Sequence, residues 1–339
     1  MARFDTQLAR SATPSRTRTT RRLLTYLHPN NESWTREFPV AKDNPEGRLT
    51  ARDWQLLSPV VALLMVGTLL PIAVVASVSL MRPLAYGGVD WGRFSFDAYL
   101  NLIVDRDFDG NLIFQSDHVR IFARSLALAA ATTAGCVALG VPTALFIATQ
   151  PPRRKNALLI LVTIPFWTSL VIRSYAWIIL IADHGFANRA LNGLGVLAGP
   201  LGLLYTTPAT LIGLLYTFFP FMVLPVYASL DDFDWRIVEA AYDLGATQWR
   251  ALRDVVIPNC MPGIAAGIGL VFVPALGSYV IPNLLGGSHS MMIGNLIEMK
   301  FTQGRNWPLG ASLSLALLGL VLAMMLARRL TSAKREVLA

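Results

Sequence analysis

Six apolar stretches of about 20 residues or more, nearly free of Asp, Glu, Lys and Arg, constrain what this chain can fold into. At 1.5 Å per residue a helix of that length crosses a hydrocarbon core of roughly 30 Å. Spans are expected at about 56–80, 124–150, 156–182, 207–230, 263–282 and 307–327. The uncharged, Gly- and Leu-rich stretch from Ala190 to Pro200 reads as an interfacial segment before the fourth span. Only 15% of the 339 residues are charged, against about 25% in an ordinary soluble domain. A soluble enzyme is excluded, and the expected fold class is an all-α integral membrane protein with six transmembrane helices.

Six spans place both termini on one side, and the basic residues say which. The tail to Asp53 holds ten Lys or Arg, and Arg153, Arg154 and Lys155 follow the second span. Arg236, Arg250 and Arg253 lie between the fourth and fifth spans, and Arg328, Arg329, Lys334 and Arg335 follow the sixth. The opposite loops carry Asp90, Asp97, Asp105, Asp107, Asp109 and Asp117. Both termini are therefore expected in the cytoplasm, with basic tails at 1–55 and 329–339 flanking a transmembrane domain at 56–328. The first tail reads as a disordered, topology-fixing segment that touches anionic lipid, although its Arg and Ser content also fits an organelle transit peptide. The net charge of +8 is thus a record of orientation and gives no reason to expect nucleic acid.

Several chemistries have no support. No Gly-Lys pair occurs, so a phosphate-cradling loop of the usual kind is missing. His28, His118, His184 and His289 are scattered outside the expected spans, which argues against zinc or haem. Cys136 and Cys260 lie in or beside apolar segments and imply no disulfide framework. No Asp or Glu lies in the middle of a span, so the usual mark of a proton-coupled carrier is absent. Arg173 is the one ion well inside a span, readable either as an interface anchor that snorkels or as a residue of an outer gate or site. Pro71, Pro142, Pro165, Pro220, Pro225 and Pro274 fall within spans as candidate hinges.

The loop at 231–262 carries the most specific pattern. Asp234 can cap a helix from Trp235, while Ile237, Val238, Ala241 and Leu244 recur at helical spacing and Gly245 is a natural breaker. A second short helix is expected from Thr247, ending near Pro258. Ala240 and Ala241 leave room for another surface, and Glu239, Asp243 and Arg250 offer it charge. By itself this is also the pattern of an amphipathic hairpin lying on the membrane. The longer series, Glu239-Ala240-Ala241, then Gly245, Val255, Ile257 and Pro258, resembles the EAA loop of ATP-binding-cassette importer permeases. Val and Ile stand here in place of the commoner Ile and Leu.

That resemblance runs over about residues 55 to 330 and is most similar to the spermidine/putrescine permease branch. It rests on Ile164-Pro165-Phe166-Trp167-Thr168-Ser169, Arg173-Ser174-Tyr175-Ala176-Trp177, Pro220-Phe221-Met222-Val223-Leu224-Pro225, Pro274-Ala275-Leu276-Gly277-Ser278-Tyr279 and Leu284-Leu285-Gly286-Gly287. Relatives of the branch also carry opines, sulfate-type anions or iron. The resemblance implies a type I importer permease fold in a bacterial inner membrane. It implies ATPase coupling through Glu239, Ala240, Ala241, Asp243, Gly245 and Pro258, with ATP and Mg on a partner ATP-binding subunit dimer and no cofactor or enzymatic site on this chain. A second permease subunit and a periplasmic solute-binding protein would complete the assembly.

A polyamine wants aromatic faces and carboxylates. Candidate pathway residues are Phe166, Trp167, Arg173, Tyr175, Trp177, Phe218, Tyr279 and Glu298, with Tyr216 and Phe219 as further aromatics. Acids near the outer face are limited to Asp183 and Glu298, so the second permease is expected to supply the missing carboxylates. The competing readings are an ion-coupled secondary carrier, which would transport without an ATPase, and a membrane scaffold, which would show no flux.

Overall fold

The computed structural model describes residues 51–84, 87–102, 104–106, 112–114, 116–194, 199–287 and 290–338. The tail expected at 1–55 lies almost wholly outside the described residues, as do Asp107, Asp109 and His289. The chain divides after Gly67. Of the first part, residues 51–67 belong to helix α1 (Ala51–Ser79), and their side chains from Leu57 onward are exposed. Such all-round apolar exposure suits a helix that meets lipid.

The second part, Thr68–Ala339, opens with two short antiparallel pairs, β1 (Met81–Pro83) with β2 (Val89–Phe94) and β3 (Val104–Arg106) with β4 (Leu112–Phe114). A one-turn helix, α2 (Asp97–Leu100), separates them. The helices that follow are α3 (Ser116–Ala148), α4 (Pro152–Thr163), α5 (Leu170–Ile181), α6 (Phe186–Gly193), α7 (Thr207–Asp231), α8 (Arg236–Asp243), α9 (Gln248–Ala251), α10 (Ile257–Leu276), α11 (Ile293–Thr302) and α12 (Trp307–Leu338). Among the described residues, six segments are long and apolar enough to cross a membrane: Leu57–Ser79, Ser116–Ala148, Leu170–Gly193, Thr207–Asp231, Gln248–Leu276 and Trp307–Ala327.

Several expected boundaries differ: the fifth span ends at Leu276, capped by Gly277, rather than at 282, and four others differ for local reasons. The third span, expected at 156–182, is broken: α4 stops at Thr163, Ile164–Trp167 form a tighter 3-10 turn, and α5 starts at Leu170. Pro165 has no N–H to give and its ring crowds the preceding turn, so the α ladder ends there. The second span starts at Ser116, so His118, expected outside the spans, lies buried in α3 with Nδ1 3.3 Å from the Leu102 carbonyl oxygen. Pro258 does not end the helix begun after Thr247. The chain widens into a π turn at Leu252–Val256, and Pro258 then stands in the first turn of α10, where a missing N–H is tolerated. Finally, α12 remains helical through the segment expected as a basic tail at 329–339, as far as Leu338.

The core is the contact of α3, α7 and α10. Met222 of α7, fully buried, is wedged between two glycines: a Cβ on Gly140 of α3 would lie 2.8 Å from its Cγ, and one on Gly267 of α10 would lie 2.7 Å from its Sδ. Gly263 meets α7 as closely, at the Pro225 carbonyl and Ser229. Small residues at these points let helix backbones approach without any drive to leave lipid. Around the wedge Ala129, Cys136, Ala144, Val223, Val226, Leu230 and Val271 are fully buried.

Candidate functional site

The loop between α7 and α10 folds back on the core. Asp234 Oδ1 accepts from the Arg236 amide at 3.0 Å, so the helix begins at Arg236, one residue beyond the expected Trp235. Val238 is buried, and Trp235 and Ala241 pack against the main core on the same side. Phe233 and Trp235 meet edge to face at 5.3 Å. This inner face leaves Glu239, Ala240, Asp243 and Leu244 pointing away, with Leu244 90% exposed. Ala241, expected to leave room for a partner, faces inward and makes room for the chain's own core. Gly245 ends α8 at φ +84°. Its N–H donates to the Tyr242 carbonyl at 2.9 Å and the Ala246 N–H to the Ala241 carbonyl at 3.0 Å, the paired closure that calls for a left-handed residue. The Thr247 hydroxyl then accepts from the Arg250 amide at 3.4 Å, starting α9. Pro258 is exposed but lies beyond the π turn, apart from Glu239 and Gly245 in the chain.

Two features of this region were not legible as motifs. Ile237 and Trp249 are exposed, as Leu244 is, which gives the solvent side of the loop apolar surface as well as charge. A groove of about 350 Å³ also opens between α3 and the loop, lined by Pro142, Phe146, Trp235, Tyr242 and Leu252 among others. At the end of α7, Lys155 Nζ donates to Asp231 Oδ1 at 2.9 Å, the Tyr227 hydroxyl donates to the same oxygen at 2.9 Å, and Nζ lies 5.5 Å from the Tyr227 ring centre. The hydrogen bond to Asp231 holds the Lys155 ammonium above the ordinary lysine range. The cluster fixes the start of α4 to the residue from which the loop departs.

The aromatics divide into two groups along the seam of α5 and α7. Phe166 meets Phe221 edge to face at 4.7 Å, and Phe218, buried, lies 6.1 Å from Phe221. Trp177 meets Tyr216 at 5.4 Å, and the Arg173 guanidinium carbon lies 5.9 Å from the Tyr216 ring centre. Arg173 Nε and Nη1 are buried and have no hydrogen-bond partner among the described residues. Trp167, 85% exposed, and Tyr175 point away from this seam. Tyr279 stands elsewhere, its carbonyl accepting from Asn295 Nδ2 at 2.8 Å, and Glu298 Oε1 accepts from the Thr302 hydroxyl at 3.1 Å. Neither Glu298 nor Asp183 pairs with Arg173 among the described residues. No cluster of three or more His, Cys, Asp or Glu able to hold a metal forms among the described residues.

Residues 140–336, which include α7 to α11 and the whole loop, match the family described as binding-protein-dependent transport system inner membrane component. The chain belongs to that family. It is a multi-pass inner-membrane permease subunit of a binding-protein-dependent importer, and its relatives are permeases rather than enzymes. It is 39% identical over 209 residues to the spermidine/putrescine transport system permease protein PotB of Escherichia coli K12, covering 62% of this chain and 76% of that one. The PotB of Salmonella typhimurium LT2 is equally similar, with 72% of its length covered. The inner membrane ABC transporter permease protein YdcU of Escherichia coli K12 is 31% identical over 239 residues, covering 66% of this chain and 76% of that one. In fold the permease resembles a chain of a bacterial ABC transporter involved in import of the acidic polysaccharide alginate. The TM-score is 0.62 at 17% identity, over 84% of this chain and 96% of that one.

Proposed function

We propose that this permease forms half of the translocation pathway of an ATP-driven importer for linear polyamines of the spermidine and putrescine kind, with both termini in the cytoplasm. The observation that carries the reading is the outer face of α8, where Glu239, Ala240, Asp243 and Leu244 are exposed beside the turn closed by Gly245, in a chain 39% identical to spermidine/putrescine permeases. That short helix is anchored on its inner side by Val238 and Trp235 and packs on α9 and the π turn at Leu252–Val256, so a push on its outer face passes into α10. Two ATPase subunits, which bind ATP and Mg, dock there; one of them takes this loop and the other takes its counterpart on a second permease. A periplasmic binding protein delivers the solute on the opposite side. The pathway runs beside the aromatic seam of Phe166, Trp177 and Phe218 and is completed by the second permease, with Trp167, Tyr175, Tyr279 and Glu298 as its further candidates.

The test is spermidine uptake into proteoliposomes. The complete set of two permeases, ATPase and binding protein should import spermidine only with ATP inside and regardless of a protonophore. Uptake by this chain alone, collapsed by the protonophore, would overturn the proposal.

A further inference from the structure

The Arg173 guanidinium is the charged group in the membrane whose surroundings are least complete. A guanidinium has five N–H donors and no acceptor capacity, and two of its nitrogens are buried here without a partner among the described residues. The Tyr216 ring 5.9 Å away offers a π face, but a ring face does not replace a hydrogen-bond acceptor. Depth decides what could. Arg173 lies eight residues before Ile181, the end of α5, and Tyr216 nine residues after Thr207, the start of α7. These two ends meet the same connection, and the counts place the Arg173 and Tyr216 Cα atoms about 12–14 Å along their helices from it, more than two turns inside apolar segments that cross a core of roughly 30 Å. That is too deep for a headgroup phosphate to be the natural acceptor. On α5, Leu170, Ser174, Trp177 and Ile181 turn inward and Ile172, Tyr175 and Ile179 outward, with Arg173 at the boundary between the two faces. Arg173 as a whole is half-buried, so a neighbour reaches it at the edge of the guanidinium beyond Nε and Nη1, which the chain itself covers.

We propose that an acidic side chain of the second permease subunit closes on Arg173 at the α5–α7 seam, forming an ion pair between the two permeases inside the membrane. The inference rests on the polyamine reading, because a polycation cannot satisfy a guanidinium and would be repelled by a bare one. A carboxylate between them resolves both problems: it accepts from Arg173 and leaves lone pairs toward the pathway. The exposed Ile172, Tyr175 and Ile179 give the outward face of α5 an apolar surface beside the pair on which the second permease can rest.

The experiment uses the complete transporter. With an affinity tag on this chain, recovery of the second permease is measured in detergent without solute, and spermidine uptake is measured in proteoliposomes. Arg173→Gln should lower uptake or recovery about tenfold or more, because it strands a buried carboxylate on the partner, whereas Arg173→Lys, which keeps the charge, should lose less. Each intramembrane Asp or Glu of the second permease is then changed to its amide, alone and with Arg173→Gln. One amide variant should match the loss, and the double variant should recover much of it, since neutralising both members of a buried pair costs less than neutralising one.

Unchanged recovery and uptake in Arg173→Gln would overturn the proposal, as would the lack of any amide variant that rescues it. A defect confined to the KM for solute would assign the guanidinium to the solute, and a defect appearing only in vesicles with phosphatidylglycerol would assign it to lipid; either result overturns the pair. Failure of the wild-type set to import spermidine strikes the polyamine reading, while the recovery arm, which uses no solute, still reports on the pair.

Discussion

Replacing Gly245 isolates the backbone of α8, the helix proposed to meet the ATPase, from everything else in the molecule. The residue stands at φ +84°, and a Cβ built on it meets nothing within 4 Å. Substitution therefore creates no clash, and its cost is that of holding an L-residue in the left-handed region, about 1–2 kcal/mol for Ala. That shifts the equilibrium between the closed and frayed ends of α8 by roughly 5- to 30-fold. Asn tolerates this region better and β-branched Val worse. The measurement is ATP hydrolysed per spermidine imported by the reconstituted transporter, with the amount of inserted permease checked alongside. Coupling should worsen in the order Gly, Asn, Ala, Val at equal insertion, because the exposed turn adds nothing to the core. The reasoning is falsified if Gly245→Val couples like the wild type, or if Asn is worse than Ala; the turn would then matter for reasons other than its backbone.

The remaining predictions concern packing and charge. Met222→Ala should cost about 2–5 kcal/mol, since the side chain is fully buried between Gly140 and Gly267; a thermal shift in detergent of no more than a degree would contradict the wedge. Lys155→Met should cost at most about 1 kcal/mol, because the Asp231 side chain is 51% exposed. The folded-state pKa of Lys155 is raised above 10.5, so its contribution is complete below the unfolded value and fades only as pH climbs through the folded one. The difference in Tm between wild type and Lys155→Met should thus stay flat from about pH 6 to 9, and a slope in that window would point to another group. Cys136 and Cys260 are buried, so a membrane-permeant maleimide should label them only after denaturation, which gel shift would report.

Much of the architecture was legible because a bilayer makes a severe demand that shows in one dimension. Long uncharged runs revealed the six spans, and the residues of the 231–262 loop carried enough turn chemistry to foretell α8, its Gly245 stop and the Thr247 start of α9. What failed was local termination. Pro165 breaks its span while Pro258 enters a helix, although both are prolines in apolar surroundings. The difference lies in the backbone around each: Pro165 stands inside the 3-10 turn at Ile164–Trp167 that closes a helix, whereas Pro258 follows the π turn at Leu252–Val256 that leads into one. The direction in which each alanine of the loop faces was equally hidden, since Ala240 and Ala241 are identical in sequence terms and only packing against the core separates them.

The amino-acid sequence by itself determined that this chain crosses a membrane with six apolar helices and where the turns of the 231–262 loop fall, because solvation of apolar segments and turn chemistry act on neighbours along the chain. The tertiary structure alone decided which side chains meet across distance. It set Met222 between glycines of two other helices, Lys155 on Asp231 and Tyr227, and Arg173 on Tyr216 rather than on Asp183 or Glu298. Those contacts depend on helix rotation and tilt, which are fixed by how the whole set of side chains packs, and no local pattern encodes them.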